Sequence, residues 1–531
     1  SIRNIILCPG SRNAPLIQVF QRDPFFVCTS IVDERSAGYI ALGMAKQSGM
    51  PAVVVTTSGT ATLNLGPAVA EAFYQHIPMI ALTADRPPEY PPQFSNQRVF
   101  QTELFRNNCF RSVQLPREEA EPSLMHQSLS QVSALIDEMT LREKGPIHVN
   151  IPLDEPLYLD VSEEAEFEIC ETSVFHNQLT ESNRQTYASV SEALHSGKKI
   201  LILAGMKKYT EQEKNILRHL SSHYQVSILA ENLANLVFEG AINAPELVLA
   251  AAGETERAGL IPDMVMALGE QIVSKRSRLF VQGLENVPVI LAERDWAPTL
   301  QDWIEKNPAS DKNDNSYYDS WKQLEKRAIK KATSFAESAE FSNLGVVLEV
   351  LNQLPDNTVV HLGNSGTVRY SQLQAARPGL EYHSNRGTSG IDGCLSTAVG
   401  AALVSEKLHV AILGDLSFVY DSNAMWNKAF PKNLRIVVIN DAGGGIFRLI
   451  DGPDRMSFFE EFSVTSHPVD PVKLAESFGL KTLTVKDYKQ LQQGLNEQLA
   501  KNGSLQLVVA ETSDRQNSVI FKTFYSSLQE D

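Results

Sequence analysis

His409-Val410-Ala411-Ile412-Leu413-Gly414-Asp415 and, after a short interval, Leu434-Arg435-Ile436-Val437-Val438-Ile439-Asn440-Asp441-Ala442-Gly443-Gly444-Gly445 carry the reading of the fold. Each is a short apolar, β-branched run that stops at an acid and glycine. Runs of this length bounded by turn residues read as buried strands of a parallel sheet. In an open α/β sheet, ligands bind outside the carboxyl ends of the strands. Two oxygen ligands at such ends suit a hard divalent ion, Mg²⁺ or Mn²⁺, that keeps phosphate oxygens in its other positions. The glycines let backbone N–H groups approach a diphosphate closely. Either motif alone is an ordinary turn. The pair, each after an apolar strand, points to diphosphate–metal binding.

Working outward, the same alternation fills the chain. Ile5–Leu7, Val27–Val32, Ala52–Thr57, Met79–Thr83 and Ile147–Ile151 read as strands. Ser36–Gln47 and Thr62–Gln75 read as helices between them, and a Pro-rich loop runs from Arg86 to Pro92. Residues 155–175 are acidic and irregular, the composition of a linker. A second unit opens at Lys199–Gly205 and continues through Val226–Leu229, Met264–Leu268 and Val287–Leu291. A polar stretch, 305–315, and a charged helix at Trp321–Ser334 lead to the third unit near Leu344. Its strands are Val359–Leu362, His409–Leu413, Leu434–Asn440 and Leu505–Ala510. Strands alternating with helical patterns imply an α/β chain of three doubly wound parallel sheets, with domains at 1–160, 175–320 and 340–531.

The bulk properties exclude several classes. A formal charge of −16 over 531 residues lacks the basic footprint of non-specific nucleic-acid binding. Anionic ligands would need a local Arg/Lys cluster. No stretch approaches the roughly 20 apolar residues of a membrane span. The first residues have no basic n-region and read as a strand, not a secretory leader. They also lack an initiator Met, so the native start is expected upstream. The five cysteines, Cys8, Cys28, Cys109, Cys170 and Cys394, are widely spaced with no C-x-x-C. That pattern fits a reducing cytoplasm rather than a disulfide framework or zinc site. No P-loop occurs, and no G-x-G-x-x-G follows a strand.

Gly414-Asp415 with the Asn440-Asp441 segment resembles the binding motif of thiamine-diphosphate enzymes. Other segments narrow the resemblance: Cys8-Pro9-Gly10-Ser11-Arg12, Asp33-Glu34-Arg35, Thr57-Ser58-Gly59-Thr60-Ala61, Thr83–Glu89, Asn364–Arg369 and Ser384–Gly393. Together they resemble the 2-succinyl-5-enolpyruvyl-6-hydroxy-3-cyclohexene-1-carboxylate synthases, collinearly over almost the whole chain. The match is dense in the first and third units and thin in the middle. It implies pyrimidine-binding, central and diphosphate-binding domains. It also implies decarboxylation of 2-oxoglutarate and 1,4-addition of the succinyl unit to isochorismate, a step of menaquinone biosynthesis.

By this resemblance, Glu34 is the catalytic group, bonding the cofactor's aminopyrimidine nitrogen so that the exocyclic amine can act as a base. Taken alone, it would be a solvated residue at a helix start. The metal ligands would be Asp415, Asp441 and the Gly443 carbonyl. Asp441 departs from the Asn usual in the family, adding a negative charge beside a diphosphate. A helix that usually precedes the first strand is not seen. Ser389, Gly390, Ile391, Gly414, Leu416, Ser417, Gly444, Ile446 and Phe447 would complete the cofactor site. Ile391 would prop the cofactor's bend, and Ile446-Phe447 would line the site or cap a following helix. Both substrates are polyanions, so arginines able to bind carboxylate bidentately are expected. Ser365, Arg369, Arg386 and Gln97 would surround the 2-oxoglutarate-derived unit. Ser11, Arg12, Arg86 and Lys275 would surround isochorismate. Glu34 and Asp415 lie in different units, and the family completes each site across subunits, so a homodimer or homotetramer is expected. His76 and His383 read as structural. An acetohydroxyacid synthase or 2-oxoacid decarboxylase, and a catalytically silent relative, remain open as other readings.

Overall fold

The computed structural model describes residues 2–90, 96–117, 120–142, 145–158, 181–269, 271–292, 296–307, 315–449, 452–500 and 503–529. It contains three parallel sheets. The first is built from β1 (Asn4–Leu7), β2 (Val27–Ser30), β3 (Ala52–Thr56), β4 (Met79–Asp85), β5 (Arg111–Gln114) and β6 (Ile147–Pro152), in the order β2-β1-β3-β4-β6-β5. The second has β7 (Ile200–Ala204), β8 (Val226–Ala230), β9 (Ala241–Ile242), β10 (Met264–Leu268) and β11 (Val289–Leu291), in the order β11-β10-β7-β8-β9. The third has β12 (Thr358–Leu362), β13 (Leu380–His383), β14 (His409–Gly414), β15 (Leu434–Asn440), β16 (Thr482–Val485) and β17 (Leu507–Glu511), in the order β13-β12-β14-β15-β17-β16. The expected three-sheet α/β architecture is therefore present.

The second sheet shows why these strands are apolar at every position. Ile200, Ile202, Ala204, Ile228 and Met266 enter one buried core. Their alternating neighbours Leu201, Leu203, Leu229 and Val265 enter another. Side chains alternate across a strand, so a sheet covered on both faces needs apolar residues throughout. In the first sheet Ile5, Leu7, Val53, Val55, Ile80 and Val149 share a core, and Ile6, Val54 and Ala81 are equally buried.

Some boundaries differ from the expectation. The Thr62–Gln75 helix is two, Thr60–Asn64 and Gly66–Tyr74. Pro67 sits in the first turn of the second, where its missing N–H is harmless but an uninterrupted helix would lose a bond. The helices Ala14–Arg22 and Pro122–Arg142 and the strands β5, β9, β13 and β16 were not anticipated. No α-helix follows the triple glycine: Ile446 and Phe447 lie in a 3₁₀ turn, Gly445–Leu449. Most of the expected acidic linker, from residue 159 on, lies outside the described residues, as do Pro91, Pro92 and Cys170.

By compactness the chain divides into two units. One comprises Ser1–His176, Asn385–Ile436 and Lys473–Lys481; the other, Asn177–Ser384, Val437–Val472 and Thr482–Asp531. Within the first, the helices Glu34–Ser48 and Cys394–Leu403 cross backbone to backbone. A Cβ on Gly43 would meet the Thr397 carbonyl oxygen, and one on Gly400 the Ile40 carbonyl oxygen. Only glycine permits that approach.

Candidate active site

In the first unit, the carboxyl ends of β1, β3 and β4 surround a cleft of about 400 Å³. Ser11, Arg12, Thr57, Ser58, Arg86, Gln97 and residues 155–158 line it. The turn after β1 is pinned locally, as Asn13 Nδ2 donates to the Cys8 carbonyl at 2.8 Å and Arg12 N to Thr57 Oγ1 at 3.3 Å. Arg12 then extends Nη1 to the Leu153 carbonyl (3.0 Å) and Nη2 to the Glu155 carboxylate (3.3 Å). Arg86 leaves the end of β4 and donates through Nη1 to Ser58 Oγ (2.8 Å) and the Gln97 carbonyl (3.0 Å). Gln97, held at φ +54°, returns Nε2 to the Ser58 carbonyl at 3.1 Å.

The electrostatics favour an anion here. Burial, and then the neighbouring Arg12 charge, hold the Arg86 guanidinium below its ordinary value. Two cations kept close in a partly dry cleft are relieved by a carboxylate between them. A buried layer stiffens this face. Gln101 accepts from Gly59 N (2.9 Å) and donates to the Ala84 carbonyl (3.1 Å) and to Asn150 Oδ1 (2.9 Å). Asn150 Nδ2 in turn donates to Asp85 Oδ2 at 2.9 Å.

Glu34 opens the helix Glu34–Ser48, just beyond the carboxyl end of β2. Asp33 caps that helix, accepting from Ser36 N at 2.8 Å, and also accepts from Asn423 Nδ2. Arg35 donates to the Tyr420 carbonyl at 2.7 Å and lies over its ring. Ser36 Oγ meets Ser396 Oγ at 2.7 Å, and Ser396 donates through N and Oγ to Asp421, both at 2.6 Å. Glu34 is thus fixed by residues on both sides of it. Burial raises its carboxyl above the ordinary carboxylate range; its own backbone N–H opposes the shift and Asp33 adds to it. A carboxyl so placed holds a proton more readily than a solvated one.

The segment 385–391 carries four expected site residues, Arg386, Ser389, Gly390 and Ile391. It is tied down by Glu71, which is wholly buried. Glu71 accepts from Gly387 N (2.7 Å), Thr388 N (2.6 Å) and Thr388 Oγ1 (2.6 Å). Ser389 sits at φ +61°, an uncommon conformation for a residue with a Cβ. The Ile391 carbonyl accepts from Ser417 Oγ at 2.9 Å, which joins it to the helix Asp415–Tyr420. Asp415 begins that helix, is buried, and accepts from Leu416 N at 2.7 Å.

In the second unit, Ser365 (φ +74°) precedes the short helix Gly366–Tyr370, on which Arg369 is exposed. Lys275 is the first residue of the helix Lys275–Gln282, capped by Ser274. Glu231 accepts from Val273 N (2.7 Å) and Ser274 N (2.8 Å), and its burial pushes the carboxyl up to about 7. Asp441 accepts from Asn343 Nδ2 at 2.7 Å, and Ala442 after it is at φ +61°. A Cβ on Gly443 would come within 2.8 Å of the Val464 carbonyl oxygen, and one on Gly444 within 2.9 Å of that of Ser463. Glycine is therefore required there by packing as well as by any ligand. His383 is buried, with Nε2 2.9 Å from Glu381.

Ser11, Arg12, Arg86 and Gln97 thus meet in one cleft. Arg386 and Ser389–Ile391 share one anchored segment, joined through Ile391 to Ser417. Lys275, Ser365, Arg369 and Asp441 lie in the other unit. Sequence reasoning missed Ser58, Glu71, Gln101 and Glu155 as individual residues. Ser58 was within reach, inside the Thr57–Ala61 motif; Glu71 and Gln101 offered no local signal. Among the described residues no cluster of three His, Cys, Asp or Glu side chains could hold a metal alone. Two carboxylates with a main-chain oxygen, completed by phosphate, is donor chemistry that a hard cation accepts. The Gly444 N–H donates to the Val464 carbonyl at 2.5 Å.

The thiamine pyrophosphate enzyme N-terminal TPP binding domain matches residues 1–108, and the C-terminal TPP binding domain of the same enzymes matches 363–509. The fold and these matches define a thiamine-pyrophosphate-dependent enzyme. Curated relatives named 2-succinyl-5-enolpyruvyl-6-hydroxy-3-cyclohexene-1-carboxylate synthase are similar over most of their length. The protein of Desulfotalea psychrophila is 38% identical, covering 90% of each chain. That of Flavobacterium johnsoniae is 34% identical over 99% of this chain and 96% of its own. That of Cytophaga hutchinsonii is 32% identical over 100% and 97%. The chain belongs to the 2-succinyl-5-enolpyruvyl-6-hydroxy-3-cyclohexene-1-carboxylate synthase family. Among the described residues no helix is long and apolar enough to cross a membrane.

Proposed function

We propose that this chain catalyses the family's reaction: 2-oxoglutarate loses CO₂, and the remaining succinyl unit adds 1,4 to the ring alkene of isochorismate. Bound thiamine diphosphate supplies the nucleophilic carbon and the electron sink. Glu34 holds a proton at the pyrimidine nitrogen, a task suited to its raised affinity for one. Gly414, Asp415, Leu416, Ser417, Asp441, Gly443, Gly444, Ile446 and Phe447 cradle the diphosphate and a Mg²⁺ or Mn²⁺ ion, with Asp415, Asp441 and the Gly443 carbonyl as its protein ligands. Ser389 and Gly390 offer backbone groups to the pyrimidine, and Ile391 supports the cofactor's bend.

Ser11, Arg12, Arg86 and Lys275 bind and orient isochorismate. Ser365, Arg369, Arg386 and Gln97 orient the 2-oxoglutarate-derived unit. Orientation of two anions against one reacting carbon is the chain's main contribution, since proximity can supply much of a barrier. We further place the pyrimidine-binding, central and diphosphate-binding domains at 1–160, 175–320 and 340–531, the working form as a homodimer or homotetramer, and the setting as cytoplasmic.

The observation that supports this reading best is the cationic cleft at the ends of β1, β3 and β4, where Arg12 and Arg86 converge with Ser11 and Gln97. The test is isochorismate consumption with thiamine diphosphate, Mg²⁺ and 2-oxoglutarate, omitting each in turn. Consumption should require all three. CO₂ release from 2-oxoglutarate with isochorismate untouched would overturn the acceptor, and release from pyruvate instead would overturn the donor.

A further inference from the structure

The cleft contains a carboxylate of its own. Glu155 Oε1 lies 3.3 Å from Arg12 Nη2, yet the two side chains live in different surroundings: that of Arg12 is 8% exposed and that of Glu155 70%. The guanidinium does not depend on Glu155 for its orientation, because Nη1 is held by the Leu153 carbonyl at 3.0 Å. Arg12 Nε is buried and has no hydrogen-bond partner among the described residues. The main chain beneath Glu155 is anchored separately. Glu155 N donates to Asp154 Oδ1 at 2.8 Å, and Asp154 is itself held by Tyr90 and by Arg117 at 2.7 Å. The backbone is therefore fixed, while the Glu155 side chain stands in solvent at the rim.

We propose that Glu155 is an internal competitor for Arg12: it takes the edge of the guanidinium that a carboxylate of the acceptor substrate needs, and so sets the affinity of the cleft for that dianion. This rests on the reading of the cleft as the isochorismate site. A carboxylate on the ring substrate approaching Arg12 finds the Nη2 edge occupied and an added negative charge at the rim. Displacement costs little, because an exposed ion pair is weak. Glu155 thereby lowers affinity without blocking entry, and it penalises a weakly bound anion more than one that also engages Arg86.

The experiment is titration calorimetry of isochorismate into the holoenzyme, in wild type, Glu155→Gln and Arg12→Gln, with KM measured alongside. Glu155→Gln should lower Kd and KM by about two- to five-fold, and the advantage should shrink in high salt because the pair is exposed. A Kd that rises in Glu155→Gln would overturn the proposal and make Glu155 an orienting partner of Arg12. An unchanged Kd, with Arg12→Gln still weakening binding, would also overturn it and leave the cleft assignment intact. Undiminished binding in Arg12→Gln would instead remove the assignment itself.

Discussion

Replacing Glu71 by Gln tests whether one buried carboxylate holds the segment that carries Arg386 and Ser389–Ile391. The carboxylate accepts three hydrogen bonds from this segment, at 2.7, 2.6 and 2.6 Å, and a fourth from Gln75 Nε2, and is wholly buried. Hydrogen bonds to a charged acceptor contribute about 1.5–3 kcal/mol each, and a buried donor left alone costs about 1–3 kcal/mol. Glutamine keeps the volume and one oxygen but turns an NH₂ toward backbone N–H groups, so at least one donor loses its partner. The segment also holds Ser389 at φ +61°, a conformation costing about 1–3 kcal/mol that persists only where its surroundings impose it.

We therefore expect a loss on the order of 2 kcal/mol at the segment, enough for it to spend much of its time displaced. If that loss falls on transition-state binding, kcat/KM drops about 10- to 100-fold. The assay is steady-state turnover together with amide hydrogen exchange over 385–391 and a thermal melt. Faster exchange confined to this segment, with turnover reduced, is the expected pattern. Turnover within two-fold of wild type (on the order of 0.4 kcal/mol) and unchanged exchange would refute the argument, since the three bonds would then be geometrically present but energetically idle.

Two further outcomes follow from the same chemistry. Glu34→Gln should largely keep cofactor binding while turnover collapses, read by calorimetry with thiamine diphosphate and by isochorismate consumption; near-normal turnover would remove Glu34 from its role. Glu231 is raised from 4.5 to about 7 by burial. Between those values the folded chain keeps a proton that the unfolded chain has released, so stability falls as pH rises, by up to roughly 1.4 kcal/mol per pH unit. Urea denaturation at pH 5, 6 and 8 should show wild type losing stability relative to Glu231→Gln over that window and not beyond it; parallel profiles would mean the group titrates normally.

The parts of the fold that were legible share one cause. β3, β7, β10, β14 and β15 are buried on both faces, so their sequences are continuous apolar runs ending in turn residues, and both features survive in a string of letters. The strands that escaped notice lack that signature. β5, Arg111-Ser112-Val113-Gln114, lies at the sheet edge and buries only Val113. β9 is two residues long. The site divides in the same way. Arg12, Arg86 and Asp415 sit in motifs at strand ends and could be named from sequence, whereas Glu71 sits mid-helix among alanines. Its partners at 387 and 388 lie 316 and 317 residues away in sequence. No local pattern encodes a contact that tertiary packing creates.

A subtler layer was illegible because the residues look ordinary. Positive φ is usually announced by glycine, yet Gln97, Ser365, Ser389 and Ala442 all adopt it, and each is an expected site residue or adjoins one. Their identities hide strain that only the surrounding fold sustains. The fold also supplies a reason for their distribution. The first and third sheets run in the same order, β2-β1-β3-β4-β6-β5 and β13-β12-β14-β15-β17-β16. In both, residues of the candidate site follow the same three central strands. Arg12 follows β1, Ser58 follows β3 and Arg86 follows β4 in one; Ser365 follows β12, Asp415 follows β14 and Asp441 follows β15 in the other. One turn geometry recurs at different places in the two sheets: Gly59 after β3 has φ +83°, ψ −134°, and Ser365 after β12, the counterpart of β1, has φ +74°, ψ −115°. The serine of the third sheet is thus held in nearly the conformation that a glycine takes in the first. The carboxyl ends of central strands are where helix N-termini and loops converge on a ligand. An architecture used twice therefore presents two sets of polar groups at its strand ends, one cationic, the other acidic and glycine-rich.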